Sequence, residues 1–582
     1  METKMVNIKI NGAAYAVPYG TTVLEACRQA GIEIPTLCYL KDVNEIGACR
    51  LCLVEVVGAR GLVTSCVYPI EREGTEILTN TAKVQNARKM NIQLVLSAHE
   101  KKCLSCIRSK TCELQKYALD YGVEEDYFKP AKTEHKPLET TGPSIVRDPN
   151  KCILCRRCVG ACNQVQEIGA IGMQNRGYDT VVGCAFEQNL TDTTCINCGQ
   201  CVVACPVGAL YEKDDTDKVR EALNDPTKHV AICCAPSVRA QIGECFGYAP
   251  GTDCEGKMVA ALKRLGFDGV YDMNFTADLT IMEEATELLH RIQNGGTLPM
   301  ITSCSPGWVK YCEHYFPEMI DNLSTCKSPQ QMFGAIYKAF FCKKMGVDPE
   351  DVVFVSAIPC TAKKFEVGRD GQSNDDLQNV DIAVTTRELG RMIEAAGINF
   401  QALPDEKFDT PIDIGSGAGA IFGATGGVME AALRTAAETI LGTTLEKVDF
   451  EDVRGTEGIK FAAYKLGDMT VRVAVASGTG NAGKLLRGIQ SGEYQADFIE
   501  IMACPGGCVN GGGQPIQPAS VRNTVDLRAV RAKVLYDADK NLPYRKSHEN
   551  PIIKLVYEEF LGEPNSHKAH ELLHTHYVKR SL

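Results

Sequence analysis

Apolar and polar positions alternate from the start of the chain. Residues 5–12, MVNIKING, place apolar side chains on every second position and end in Asn-Gly, so residues 15–18 are expected to return as the second strand of a hairpin. Thr21 and Thr22 then precede VLEACRQAG, whose apolar spacing is helical. Residues 80–100, NTAKVQNARKMNIQLVLSAHE, read as an amphipathic helix, and 129–145, KPAKTEHKPLETTGPSI, as a Pro-, Lys- and Thr-rich linker. From about residue 213 the character changes. Apolar strand candidates, HVAICCAP, DVVFVSAIP and VRVAVASG, alternate with helical stretches such as TIMEEATELLHRIQNGG. These shifts predict units at 1–79, 80–140 and 141–212, followed by a large α/β unit at 213–582.

With 582 residues, 44% hydrophobic and 23% charged, the chain can bury sizeable cores, and disorder is not expected. METKMVNIKINGAAY lacks the basic start and apolar stretch of a signal peptide, and no apolar run of about 18 residues occurs. Neither export nor a membrane span is expected. A net charge of -11 argues against nucleic acid. The 28 cysteines change the picture most, because most fall in C-x2-C runs. In a chain without a secretory signal this spacing points to metal ligation and a reducing compartment, the cytoplasm.

Four cysteine sets stand out. Cys38, Cys49, Cys52 and Cys66, on glycine-bearing loops beside the hairpin, suit a [2Fe–2S] cluster, with zinc as the alternative. His99, Cys103, Cys106 and Cys112 could hold zinc or a [4Fe–4S] cluster with one imidazole ligand. Cys152-x2-Cys155-x2-Cys158-x3-Cys162 and Cys195-x2-Cys198-x2-Cys201-x3-Cys205-Pro206 have the spacing of a two-cluster bacterial ferredoxin. In that arrangement the fourth cysteine of each run ligates the other cluster. Cys205 therefore joins Cys152, Cys155 and Cys158, while Cys162 joins Cys195, Cys198 and Cys201. Asn163 stands where the motif usually has proline; Cys27 and Cys184 are read as structural.

In the α/β unit three segments interrupt the pattern: TSCSPGW at 302–308, PCTAKKFE at 359–366 and IMACPGGCVNGGGQP at 501–515. The last places two thiols four residues apart beside glycines that let backbone N–H groups approach a bulky inorganic centre. The second and third closely resemble signature motifs of the [FeFe]-hydrogenases, and the resemblance runs to the tail segments RKSHENP and AHELLHTHY. It implies a multidomain α+β fold, with N-terminal ferredoxin-like iron–sulfur domains followed by a large two-lobed α/β catalytic domain. It also implies one [2Fe–2S], three accessory [4Fe–4S] clusters and an H-cluster, a [4Fe–4S] cubane joined by one cysteine to a diiron unit bearing CO, cyanide and a dithiolate amine. By resemblance Cys360 and Cys504 become cubane ligands and Cys508 the bridging ligand. Lys363, Pro236 and Ser237 match cyanide neighbours, Gln330, Phe422 and Met502 match pocket positions, and Glu284, Glu287 and Ser324 match a proton route to Cys304. For an unaligned glutamate pair, the alternative is a solvated acidic helix face.

The family's first motif carries two adjacent cysteines, a proton relay and a cubane ligand; here the second is Ser305, so either its oxygen or a rearranged Cys304 completes the cubane. Ile358 stands where the family often has methionine. The implied activity is reversible H2 oxidation and proton reduction, with ferredoxin as partner, a flavin- and NAD-binding subunit if NAD(P)H is used, and proteins that mature the H-cluster. No dinucleotide fingerprint occurs, and the glycine-rich 415–436 is expected to line the H-cluster. The competing reading is an H2 sensor or electron-wiring subunit, since residues 1–210 also resemble the cluster-bearing part of a complex I subunit.

Overall fold

The strand Met5–Ile10 pairs antiparallel with Ala13–Pro18 across Asn11 and Gly12, and both turn residues take the positive φ that a type I′ turn needs (51° and 85°). This computed structural model describes residues 4–131, 135–374, 376–445, 447–467 and 469–581; residues 132–134 of the predicted linker lie outside that set. Val6, Ile8 and Ile10 are buried while their neighbours are exposed, which fixes the register of a five-stranded sheet. Thr22 caps the helix Val23–Gln29 by accepting from the Glu25 N–H at 3.3 Å. The helix Ala82–Ser97 buries Val84, Ile92 and Leu96, and Arg88 is tolerated beside them because it donates to the Leu53 carbonyl.

The two ferredoxin runs differ where their sequences do. The helix Gln200–Ala204 stops at Cys205, ahead of Pro206. In the first run Asn163 keeps the N–H that proline lacks, and Arg157–Gly160 continues into a π-helical turn, Ala161–Val165.

The large unit has two lobes, each on a four-stranded sheet. In the first, Gly269–Asp272, His229–Cys234, Val352–Ile358 and Ile382–Thr385 lie parallel in that order. In the second, Met300–Ile301, Phe498–Met502 and Met469–Ser477 are parallel, and Ile459–Leu466 closes the edge as a hairpin. Helices cover parallel sheets on both faces, so His229–Cys234 and Val352–Ile358 read as continuous apolar runs rather than alternating ones. The expected acidic helix spans Asn274–Asn294, beginning ahead of the predicted stretch, and packs on Pro329–Ile336 and Gly427–Leu441.

Ligands of open parallel sheets bind beyond the carboxyl ends of the strands. Both sheets direct those ends at one place. Cys234 leads to Pro236 and Ser237, Ile358 to Cys360, Ile301 to Cys304, and Met502 to Cys504. No helix among the described residues is long and apolar enough to cross a membrane.

Candidate active site

The thiols of Cys52 and Cys66 stand 3.3 Å apart, and the Cys49 N–H donates to Cys38 Sγ at 3.4 Å. All four thiols of this set interact: hydrogen bonding from Cys38 lowers the Cys49 pKa, and Cys66 is raised by Cys52, by burial and by Cys38 and Cys49. Nδ1 of His99 lies 2.9 Å from the Lys151 carbonyl, which holds the ring and leaves Nε2 free for a metal, the usual orientation of a ligating histidine. Burial lowers the His99 pKa and keeps the ring neutral. Cys152, Cys155, Cys158 and Cys205 line one small cavity. Cys195, Cys198, Cys201 and Cys162 gather separately: after burial, Cys198, Cys195 and Cys162 are the neighbours that most raise the Cys201 thiol.

The loop of this second group abuts the Cys504 segment. Cys504 Sγ is 4.0 Å from the Cys198 carbonyl, Gln200 Nε2 donates to Asn510 O at 2.9 Å, and Thr361 Oγ1 donates to Asn197 O at 2.6 Å. The approach requires glycine. A Cβ on Gly199 would fall 2.4 Å from Thr361 Oγ1, and one on Gly512 2.3 Å from the Cys198 carbonyl.

Between the lobes lies a cavity of about 80 Å³. Its wall carries Pro236, Ser237, Cys304, Ser305, Gln330, Ile358, Cys360, Lys363, Phe422, Met502 and Cys508, gathered from distant strand ends. Cys504 does not line it but turns to the Cys198 side, and its neighbours Cys360, Cys198 and Cys508 raise its pKa further after burial. Burial also pushes Cys508 up to about 12. Lys363 Nζ donates to the Cys304 carbonyl (3.1 Å) and to Glu366 (3.0 Å), and Glu366 also receives Gln330 Nε2 at 2.6 Å and Ser328 Oγ at 2.8 Å. Ser305 is the N-cap residue of Pro306–Tyr315, yet its oxygen does not cap that helix; it accepts from the Ala503 N–H at 3.2 Å.

Glu284 is fully buried, and neither of its oxygens has a hydrogen-bond partner. Burial first, and Glu287 second, raise its pKa to about 8. Ser324 Oγ donates to Glu287 at 2.7 Å, and Glu287 meets Arg291 at 2.6 Å near the surface. Burial rules out a solvated acidic face at Glu284. Arg291 was not among the expected residues; its i,i+4 spacing from Glu287 was the available signal. Glu500 was also missed. It is a buried carboxylate that accepts from the Gly426 and Met429 N–H groups at 2.6 and 2.8 Å, and it raises the Cys304 and Cys508 thiols.

The cavity suits a polar inorganic group. Ser237 Oγ and Gln330 Oε1 are buried on its wall with no partner, each a cost of about 1–3 kcal/mol unless something there accepts or donates. Lys363 adds a cation, and Cys360 and Cys508 add soft thiolate ligands. Such a site beside three collected cysteine sets fits an iron–sulfur oxidoreductase.

Comparison with known proteins narrows that class. Residues 228–512 match the C-terminal domain of the iron-only hydrogenase large subunit and 525–580 the iron hydrogenase small subunit. Residues 3–82 match a 2Fe-2S cluster binding domain, 88–126 the NADH-ubiquinone oxidoreductase-G iron-sulfur binding region, and 142–211 the ferredoxin-like domain of NADH-quinone oxidoreductase subunit 3. The chain is 50% identical to the NADP-reducing hydrogenase subunit HndD of Solidesulfovibrio fructosivorans over 99% of each. It is 45% identical to iron hydrogenase 1 of Clostridium pasteurianum over 99% of this chain and 100% of that one. A solved [FeFe]-hydrogenase from Chlamydomonas reinhardtii aligns with TM-score 0.56 and 44% identity, covering 62% of this chain and 99% of its own. The chain belongs to the [FeFe]-hydrogenase family. It is an iron-only hydrogenase whose H-cluster domain follows 2Fe-2S and 4Fe-4S binding domains, which sets aside the purely electron-wiring reading.

Proposed function

We propose that the cavity between the lobes, together with the Cys504 loop beside it, would hold the H-cluster, with Cys360, Cys504, Ser305 and Cys508 as ligands for its cubane and Cys508 also serving its diiron unit. When bound, that group supplies the iron at which two protons and two electrons combine reversibly as H2. The chain's residues do the rest. Lys363, held by Glu366 and the Cys304 carbonyl, offers its ammonium to a cyanide, and Ser237 and Gln330 offer the polar atoms that otherwise lack partners. Pro236, Phe422 and Met502 exclude water. Glu284 keeps its proton at neutral pH, as a relay between Ser324 and the Cys304 thiol requires, and Glu287 refills it from the Arg291 end.

Upstream we assign one [2Fe–2S] and three [4Fe–4S] clusters to the units 1–79, 80–140 and 141–212. The contact of Cys504 with the Cys198 carbonyl supports electron transfer from the last of them into the unit 213–582. Ferredoxin is the proposed partner. HndD is named as a subunit of an NADP-reducing hydrogenase, and its 50% identity supports a second arrangement, in which this chain exchanges electrons with a flavin- and NAD-binding subunit in the cytoplasm. H-cluster maturation proteins complete the set of partners.

The observation that carries the reading is the convergence of Cys508, Lys363 and two orphaned polar atoms on one cavity. Infrared spectroscopy of the matured enzyme tests it. CO and cyanide bands together with about 20 iron atoms per chain are expected; stoichiometric zinc in place of iron would refute the accessory assignment.

A further inference from the structure

At the outer end of the proton route, Glu287 meets two side chains that the route does not use, Cys326 and His574. One ligating atom each from Glu287, Cys326 and His574 lies within 4.8 Å of the other two. The main chain fixes the pair opposite Glu287. Cys326 and His574 face each other in an isolated antiparallel bridge, flanked by Lys327 N–H to Leu573 O at 2.7 Å and Thr575 N–H to Thr325 O at 2.8 Å.

The side chains are ordered as well. Cys326 is 1% exposed and His574 8%, and Cys326 Sγ already stands 3.8 Å from Glu287 Oε2. The His574 ring is held on both sides, with Nδ1 2.7 Å from Thr325 Oγ1 and Nε2 3.1 Å from Glu283. Whichever nitrogen turns to a metal, the other keeps an oxygen partner, the outer-sphere support that ligating imidazoles need. Glu283 is itself anchored by Tyr557 and by the Asn565 N–H.

One thiol, one imidazole and one carboxylate with a fourth position open form a ligand set for zinc rather than magnesium or calcium. Tetrahedral zinc places its ligand atoms about 3.5 Å apart, so the group needs to close by about 1 Å. The charge balance favours this closure. Burial and then the nearby Glu287, Glu284 and Glu283 raise the Cys326 thiol, and a bound dication would offset part of that negative charge and favour loss of the thiol proton.

We propose that Glu287, Cys326 and His574 form a site for a thiophilic divalent cation of the zinc class, and that its occupancy closes proton delivery at Glu287. The second half rests on the Glu287–Ser324–Glu284 route proposed above. A Glu287 carboxylate bound to metal no longer exchanges a proton with Ser324 Oγ, so the cation acts as a plug rather than a catalyst.

The test titrates matured, chelator-dialysed enzyme with zinc sulfate. About one zinc per chain is expected, with iron content unchanged and one sulfur in the zinc X-ray absorption shell. H2 evolution should fall by more than about 10-fold, and EDTA should restore it. Cys326→Ala should remove the sulfur shell and weaken zinc binding by about 10–100-fold, and His574→Gln should weaken binding similarly if the cysteine variant misfolds. No bound zinc, zinc gained only as iron is lost, or equal affinity in wild type and variants would overturn the site and leave the proton route standing. Zinc bound with its sulfur shell at undiminished turnover would overturn the plug and the route together.

Discussion

The accessory region and the catalytic cavity gather their metal-binding groups in opposite ways. Cys152, Cys155 and Cys158 sit on one short segment, and a single distant residue, Cys205, joins them around one cavity. The cavity instead draws on residues from Ala235 to Cys508, delivered by the carboxyl ends of two sheets, and much of its wall is Pro, Ala, Gly, Phe and Ile, which carry no ligating side-chain atom. Where local spacing supplies the ligands, a loop and a small core suffice. Where a cofactor is retained by its surroundings, two lobes must be built first.

The sharpest way to break this contrast is Cys508→Ala. H2 evolution should fall to background and the CO and cyanide infrared bands should vanish, while the EPR signals of the accessory clusters persist. Loss of the accessory signals as well would mean that the two regions are not independent.

Glu284→Gln comes next, because it removes a proton carrier and no ligand. Turnover should drop by about 10²–10³-fold with the infrared bands retained. The same variant carries a pH signature. Between about pH 4.5 and 8 the folded protein keeps a proton that the unfolded chain has released, so this group lowers stability as pH rises. Thermal melts of Glu284→Gln should lack that decline; a parallel decline in both proteins would remove Glu284 as its source.

How much the sequence disclosed follows the same division. The Asn-Gly hairpin, the Thr22-capped helix, three of the catalytic strands and the grouping of cysteines in the ferredoxin-type runs were legible, because each depends on neighbours within a few tens of residues. The short strands Gly269–Asp272 and Ile382–Thr385 were not, being too brief to show a period. The pocket positions came from resemblance alone, since no spacing relates Ser237 to Met502. Glu500 escaped because one acid in an apolar strand, FIEIM, gives no sign that it will meet the N-terminus of the helix Gly427–Leu441. The meeting of Cys326 with His574 likewise depends on the C-terminal segment folding back beside the Ser324 loop.

The junction between the two regions gives a smaller effect. Gly199→Ala forces a methyl group against Thr361 and Gly512, and should cost about 1–3 kcal/mol, read as a lower melting temperature. Wild-type stability would mean that the loops separate more easily than their contacts imply. The mildest change is His99→Cys, which adds a thiolate's charge where a neutral ring stands; the cluster should remain, with a lower midpoint in an EPR-monitored redox titration. An unchanged midpoint would remove His99 from the ligand set.

The division of labour between Cys304 and Ser305 lies at the centre of the catalytic account. Cys304 faces Glu284, Lys363 and Cys508, whereas Ser305 is turned to the Ala503 N–H beside Cys504. Infrared spectra and H2 evolution of matured Cys304→Ala, recorded on the same sample, test it most directly. The account predicts intact CO and cyanide bands with turnover nearly abolished. Missing bands would contradict it, making Cys304 a cubane ligand and leaving Ser305 only a brace for the Cys504 loop.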